Sequence, residues 1–195
     1  MVVVDNQGFL IDKFRIPPFQ LNQGEIVTLN LWSGGHFYNL EKELISIFNG
    51  NKLMKEVRII EPLIFAEHIR LNRWTELLYP MTIKRYLRKN SAPTDMPLSI
   101  FPDDRLKPKN RVSHLAGNPR RFLSIYASLS KCNGLIFDLA GVDPQGALNI
   151  YKIVEEFVTS TNGCAILLNN FDDMKDRCKK HYDIESVKTK NYPKR

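Results

Sequence analysis

Two short apolar runs open the chain, residues 2–4 (VVV) and 9–16 (FLIDKFRI), and the doublet Pro17-Pro18 stops the second. Behind Gly24, EIVTLNLW alternates and is rich in β-branched residues, which predicts a strand; Gly34-Gly35 then mark a loop. In NLEKELISIFNG, Leu40, Leu44, Ile47 and Phe48 fall at helical spacing, with Asn39 as the expected N-cap and Gly50 as the stop. The apolar segment VRIIEPLIFAEHI holds one or two strands interrupted at Pro62. A turn at Pro80 leads to a basic helix that Thr82 is placed to cap. Pro93, Pro97, Pro102 and Pro108 make regular structure unfavourable between Ser91 and Asn110, which reads as a mobile or partner-contacting insert.

From Asn118 onward the order is clearer. Asn118 is the expected cap of the helix PRRFLSIYASLSK, with Pro119 at its first position. Gly134 opens the strand LIFDL, Asp143-Pro144 start the helix PQGALNIYKIVEEFVTST, and Gly163 leads into the strand CAILLNN. A polar helix, DDMKDRCKK, is expected next. Near-continuous apolar strands separated by amphipathic helices predict an α/β fold around a mostly parallel, buried sheet.

Composition narrows the classes. With 195 residues and 43% hydrophobic content the chain can build one domain with a sizeable core. No stretch approaches the roughly 18 apolar residues of a membrane span, and the N-terminus lacks a signal-peptide pattern, so a cytoplasmic location is expected. Cys132, Cys164 and Cys178 are odd in number and share no C-x-x-C spacing; His36, His68, His114 and His181 are scattered. Neither a disulfide framework nor a metal or triad motif is supported. The net charge of +7 suggests an acidic partner without choosing among nucleic acid, an anionic membrane face and a solvated surface.

In their order, these segments resemble the nucleotide-binding domain of ATP-binding cassette (ABC) proteins over nearly the whole chain. LNQGEIVTLNL is similar to the strand before that family's phosphate loop, and LLYPMTIKRYL to the segment after the glutamine loop. HLAGNPRRFLSIYASLS resembles the signature motif and its helix, LIFDLAGVDPQG the Walker B strand and D-loop, and AILLNNFDD the strand and turn of the switch histidine. The resemblance implies a P-loop NTPase-like fold with antiparallel N-terminal strands, a single domain over 1–195 and a shortened helical subdomain at approximately 74–131.

The chemistry that the resemblance calls for is mostly replaced. A Walker A loop wraps phosphates with glycine-flanked N–H groups and neutralises them with lysine. Here Glu41 stands where that lysine belongs and Lys42 where the magnesium-binding hydroxyl belongs. Asp138 keeps the Walker B place, but Leu139 follows it instead of the general base, and a leucine cannot orient water for attack on phosphorus. Trp74 occupies the glutamine-loop region and Phe171 the switch position, before Asp172. Leu115-Ala116-Gly117-Asn118-Pro119 replaces L-S-G-G-Q, losing a hydroxyl at Ala116 and an N–H at Pro119.

Plain structural readings stand beside these. Asp138 is either a strand-end residue or a residual metal ligand; Asp143 is a helix N-cap or a contact across a dimer. Trp74 and Phe171 fit core or interface, their aromatic character favouring burial. Gly34-Gly35 fit a turn or a weak anion cradle.

The resulting expectation is a catalytically inactive ABC ATPase-like subunit that needs no cofactor or metal and has a structural or regulatory role in an ABC transporter. Its expected partners are an intact ATPase subunit and a transmembrane permease subunit, in a homo- or heterodimer on the inner face of the membrane. Trp74, Leu77, Leu78, Tyr79 and Pro80 are the candidate partner surface, with core packing as the alternative. A soluble nucleic-acid or regulatory module on the same fold and an ATPase with unconventional residues remain open, although no nucleic-acid-binding motif is present.

Overall fold

The computed structural model describes residues 1–31, 37–92, 106–170, 174 and 178–187. The centre is a parallel five-stranded sheet in the order β10-β5-β9-β8-β7. Its strands are β5 (Ile26–Asn30), β7 (Ile64–Phe65), β8 (Gly134–Asp138), β9 (Cys164–Asn169) and β10 (Lys180–Asp183). Strands β5, β8 and β9 are buried at every position because both faces are covered.

On one face, Leu135, Phe137, Ala165 and Leu167 pack with α4 (Gly117–Leu129) and α5 (Pro144–Thr161). On the other, Val27, Leu29, Ile136, Ile166 and Leu168 meet α1 (Phe37–Phe48) and the antiparallel strands. Those strands form two small sheets. One has the order β4-β1-β6, from Phe19–Asn22, Val2–Asn6 and Val57–Ile59; the other has β11-β3-β2, from Glu185–Ser186, Phe14–Ile16 and Phe9–Ile11. The remaining helices are α2 (Arg73–Leu78) and α3 (Ile83–Asn90).

The sheet's C-terminal end carries a buried amide ladder. Asn169 Nδ2 donates to Asn30 Oδ1 at 2.9 Å, and Asn30 Nδ2 donates to Asp183 Oδ1 at 2.9 Å, tying β9, β5 and β10 together.

Local signals hold where they are local. Thr82 caps α3 through Arg85 N, and Asp143 caps α5 through Gly146 N with Pro144 behind it. Gly50 takes φ +80 after α1, and Pro62 separates β6 from β7, which lies at the sheet edge. Other expectations are corrected. The run 9–16 is a hairpin, because Asp12 takes φ 51 and Ile11 pairs with Phe14. Asn39 lies inside α1, which begins at Phe37, so it is not the cap. Asn118 lies inside α4 and Ala116 holds the cap position, because the Asn118 amide is committed elsewhere. The helix DDMKDRCKK does not extend to Lys180, which opens β10; most of that stretch, with Phe171 and Asp172, lies outside the described residues, as do Gly34-Gly35, Pro93, Pro97 and Pro102.

Candidate functional site

Asp138 ends β8 at 3% exposure, at the carboxyl end of the sheet where parallel α/β folds bind ligands. A carboxylate this deep must be paired. Ala140 N donates to Oδ1 at 2.8 Å, and His68 Nε2 lies 2.9 Å from Oδ1 and 3.0 Å from Oδ2. Arg121 Nη2 lies 3.3 Å from Oδ2. Burial alone pushes the Asp138 carboxyl upward, but the His68 hydrogen bond and the charges of Arg121 and His68 outweigh it and hold it below the usual range. It is therefore ionised, and His68 Nε2 donates its proton to it.

Arg121 is anchored as firmly. From α4 it donates to the backbone oxygen of Asp138 through Nε (3.3 Å) and Nη2 (3.1 Å), and through Nη1 to Ala66 O (2.5 Å) and Ser124 Oγ (3.2 Å). The guanidinium thus joins α4 to the segment after β7 and to the end of β8. Burial lowers its pKa and the Asp138 charge opposes that shift; a guanidinium stays charged throughout.

Glu41 adds a second carboxylate. Burial and then the charge of Asp138 raise its pKa to about 7, against the usual 4.5. Glu41, His68 and Asp138 line a cleft of about 340 Å³ together with Tyr38, Lys42 and Arg70. The Lys42 ammonium lies 4.2 Å from the Tyr38 ring centroid, and Lys42 and Arg70 lower the Tyr38 pKa through hydrogen bonds.

Magnesium is the ion a cassette fold implies at Asp138, and the residues present do not fit it. Both Asp138 oxygens are already engaged by His68, Arg121 and Ala140 N, and the guanidinium brings positive charge to the same carboxylate. Among the described residues no group of three His, Cys, Asp or Glu could hold a metal ion. Leu139, after Asp138, is fully buried in the core facing α4 and α5.

The signature-like segment docks on the loop after β8. Asn118 Nδ2 donates to Asp143 Oδ2 at 2.8 Å, and Asp143 N donates to Asn118 Oδ1 at 3.1 Å. A Cβ on Gly117 would lie 2.2 Å from Gly141 O, and one on Gly146 would lie 2.5 Å from Asn118 Cγ, so only glycine permits these approaches. Leu115 and Pro119 are buried, whereas Ala116 and Gly117 are exposed. The N-cap reading of Asp143 holds, with Asn118 as an unforeseen second partner.

Trp74, Leu77, Leu78 and Tyr79 are exposed at 77%, 74%, 73% and 66%, so of the two readings, core or surface, core packing is excluded for these four, and Pro80 is half-buried. His68 and Arg121 were missed by motif reading. A signal existed for the arginine: Arg121 and Ile125 share one side of an apolar helix, and an arginine there requires a buried acceptor.

No family model and no curated protein matches the sequence. Its fold does match solved structures, among them ABC ATP-binding cassette domains, so the chain has that α/β fold, with a parallel central sheet, antiparallel strands and few helices. It is similar to cbiO1 from Clostridium perfringens, part of the ABC transporter complex cbiONQ, with TM-score 0.67 and 14% identity over 95% of this chain and 85% of that one. It is similar to the ATP-binding subunit of an ABC transporter, with TM-score 0.65 and 14% identity over 99% and 90%. A nucleotide-free ATP-binding cassette from an ABC transporter matches with TM-score 0.63 and 16% identity over 95% and 88%.

Proposed function

We propose that this chain is a catalytically inactive ABC ATPase-like subunit, a structural or regulatory component of an ABC transporter. The observation that carries the reading is the commitment of Asp138. In a cassette fold its carboxylate serves metal and phosphate, yet here Arg121, His68 and Ala140 N take up its oxygens. Phosphoryl transfer depends on positioning and electrostatics, so Glu41 facing this centre and Leu139 turned into the core both work against it. In this reading the internal arginine supplies beside Asp138 the positive charge that a metal would bring, and the cassette holds its shape without ligand.

Such a subunit pairs with an intact ATP-binding subunit and a transmembrane subunit, peripheral to the inner face of the membrane. Among the described residues no helix is long and apolar enough to cross it. Gly117 and Asn118, at the start of α4, face the partner subunit's nucleotide in this arrangement, and the helix N-terminus supplies a favourable dipole. Trp74, Leu77, Leu78, Tyr79 and Pro80 form the side turned toward the membrane.

Two measurements test this. Titration with a fluorescent ATP analogue is expected to show no saturable binding; tight binding abolished by Asp138→Asn would instead establish an ATPase with unconventional residues. Purification from detergent-solubilised membranes is expected to recover a membrane protein and a complete ABC ATPase, identified by mass spectrometry. Recovery alone or with nucleic acid sinks the subunit reading.

A further inference from the structure

Helix α2 leaves a whole apolar face uncovered. Trp74, Leu77 and Leu78 lie at i, i+3, i+4 spacing on it, and all three are among the most exposed large side chains, with Tyr79 next to them. On α3, Ile83 turns into the core while Lys84, Arg85, Arg88 and Lys89 are exposed. A second basic segment is fastened to the start of that helix: Lys84 N donates to Pro108 O at 3.0 Å, Ile83 N to Asn110 O at 2.9 Å, and Val112 N to Met81 O at 2.8 Å. Exposed Lys107, Lys109 and Arg111 therefore stand beside α3.

The charge of the chain is unevenly placed. Residues 70–131 hold 13 of the 28 Lys and Arg but 4 of the 21 Asp and Glu, so this stretch is more basic than the whole chain at +7 and the rest is slightly acidic. Trp and Tyr rings beside leucines suit the boundary between acyl chains and headgroups, and neighbouring cations suit anionic phosphates. The cytoplasmic loops of membrane proteins are themselves rich in Lys and Arg. By charge, this surface is mismatched to such a loop and matched to the lipid around it. Nucleic acid would satisfy the cations but leave Leu77 and Leu78 in water.

Resting on the reading that the chain works beside a membrane, we propose that Trp74, Leu77, Leu78 and Tyr79 of the α2 side, with Lys84, Arg85, Arg88 and Lys89 of α3, dock directly on an anionic phospholipid leaflet. The cations hold the chain to the headgroups and the apolar quartet enters between them.

The test is sedimentation of the full chain with phosphatidylcholine vesicles, with and without phosphatidylglycerol, and with no other protein present. Binding is expected with the anionic vesicles alone and is expected to fall as salt rises. The variant K84E/R85E/R88E/K89E is expected to bind at least on the order of a thousandfold more weakly, as follows from losing four surface cations and reversing their charge. W74S/L77S/L78S/Y79S is expected to lose most binding while keeping the parent's circular dichroism and urea midpoint. No binding to anionic vesicles, equal binding to neutral ones, or unchanged binding by either folded variant overturns the proposal. So does capture by single-stranded RNA but not by vesicles at the same salt. These results are separable from failure of the subunit reading, which is judged in detergent, where partner proteins remain and the bilayer does not.

Discussion

The end of β8 and the surface of α2–α3 handle polar and apolar groups in opposite ways. At Asp138 the buried carboxylate is engaged by the buried Arg121, by Ala140 N and by the exposed His68. On α2, large apolar side chains are exposed, with nothing among the described residues covering them. A fold whose strand ends commonly serve ligands has its polar groups engaged internally there, while its unsatisfied surface lies on the helices. That difference separates what stabilises the chain from what it offers to others.

The largest expected effect comes from opening the closed centre. Arg121→Met leaves the buried Asp138 with only His68 and the Ala140 N–H and is expected to cost about 3–5 kcal/mol in urea unfolding. The double variant Arg121→Met/Asp138→Leu, which removes both charges, is expected to recover part of that loss; strict additivity of the two single changes would mean the pair is not coupled.

Glu41 sharpens the same region by pH. Its folded pKa, about 7, lies above the usual 4.5, so the folded chain binds the extra proton and stability falls as pH rises through that window. Glu41→Gln is expected to remove this fall and to stabilise the chain above the window by about 1–3 kcal/mol, allowing for its partial exposure. Asp138 has the opposite sign: its lowered pKa gives stability that is present at neutral pH and lost on acidification, and this acid limb is expected to persist in Glu41→Gln. Denaturant melts across pH distinguish the two limbs.

Asn118→Ala removes the reciprocal bond with Asp143 and is expected to cost about 1 kcal/mol, as a single modest hydrogen-bonding pair does. Each of Trp74→Ser, Leu77→Ser and Leu78→Ser is expected to change stability by less than about 0.5 kcal/mol, since no packing is lost. A loss comparable to Arg121→Met at any of them would show that the surface is part of the core and would erase the comparison.

How much of this was legible in the sequence follows from how far each interaction reaches. Thr82 and Asp143 act within three residues of themselves, and both caps are where residue type and spacing put them. Strands β5, β8 and β9 are buried on both faces and so carry unbroken apolar runs that need no partner to be recognised. Strand β10, Lys180–Asp183, has only alternating half-burial and a polar sequence, and pairing with β5 makes it a strand. Asn118 looks like a cap by local rules, but Asp143, 25 residues away, claims its amide. The site was least legible because it is least local: His68 meets Asp138 across 70 residues, and Arg121 reaches the same residue across 17.

The amide ladder at the sheet's end also sets a timetable. Strand β5 sits between β9 and β10, and Asn30 finds its two partners 139 and 153 residues later in the chain. As the polypeptide leaves the ribosome, the strand at 26–30 emerges early with both hydrogen-bonding edges open and must wait for 164–183 to be made. The parallel sheet therefore closes only once residues 164–183 have emerged, after the antiparallel pairing of β1, β4 and β6 can already have formed. A nascent chain halted before residue 164 presents an uncovered apolar strand, and chaperone contact should be greatest over that interval.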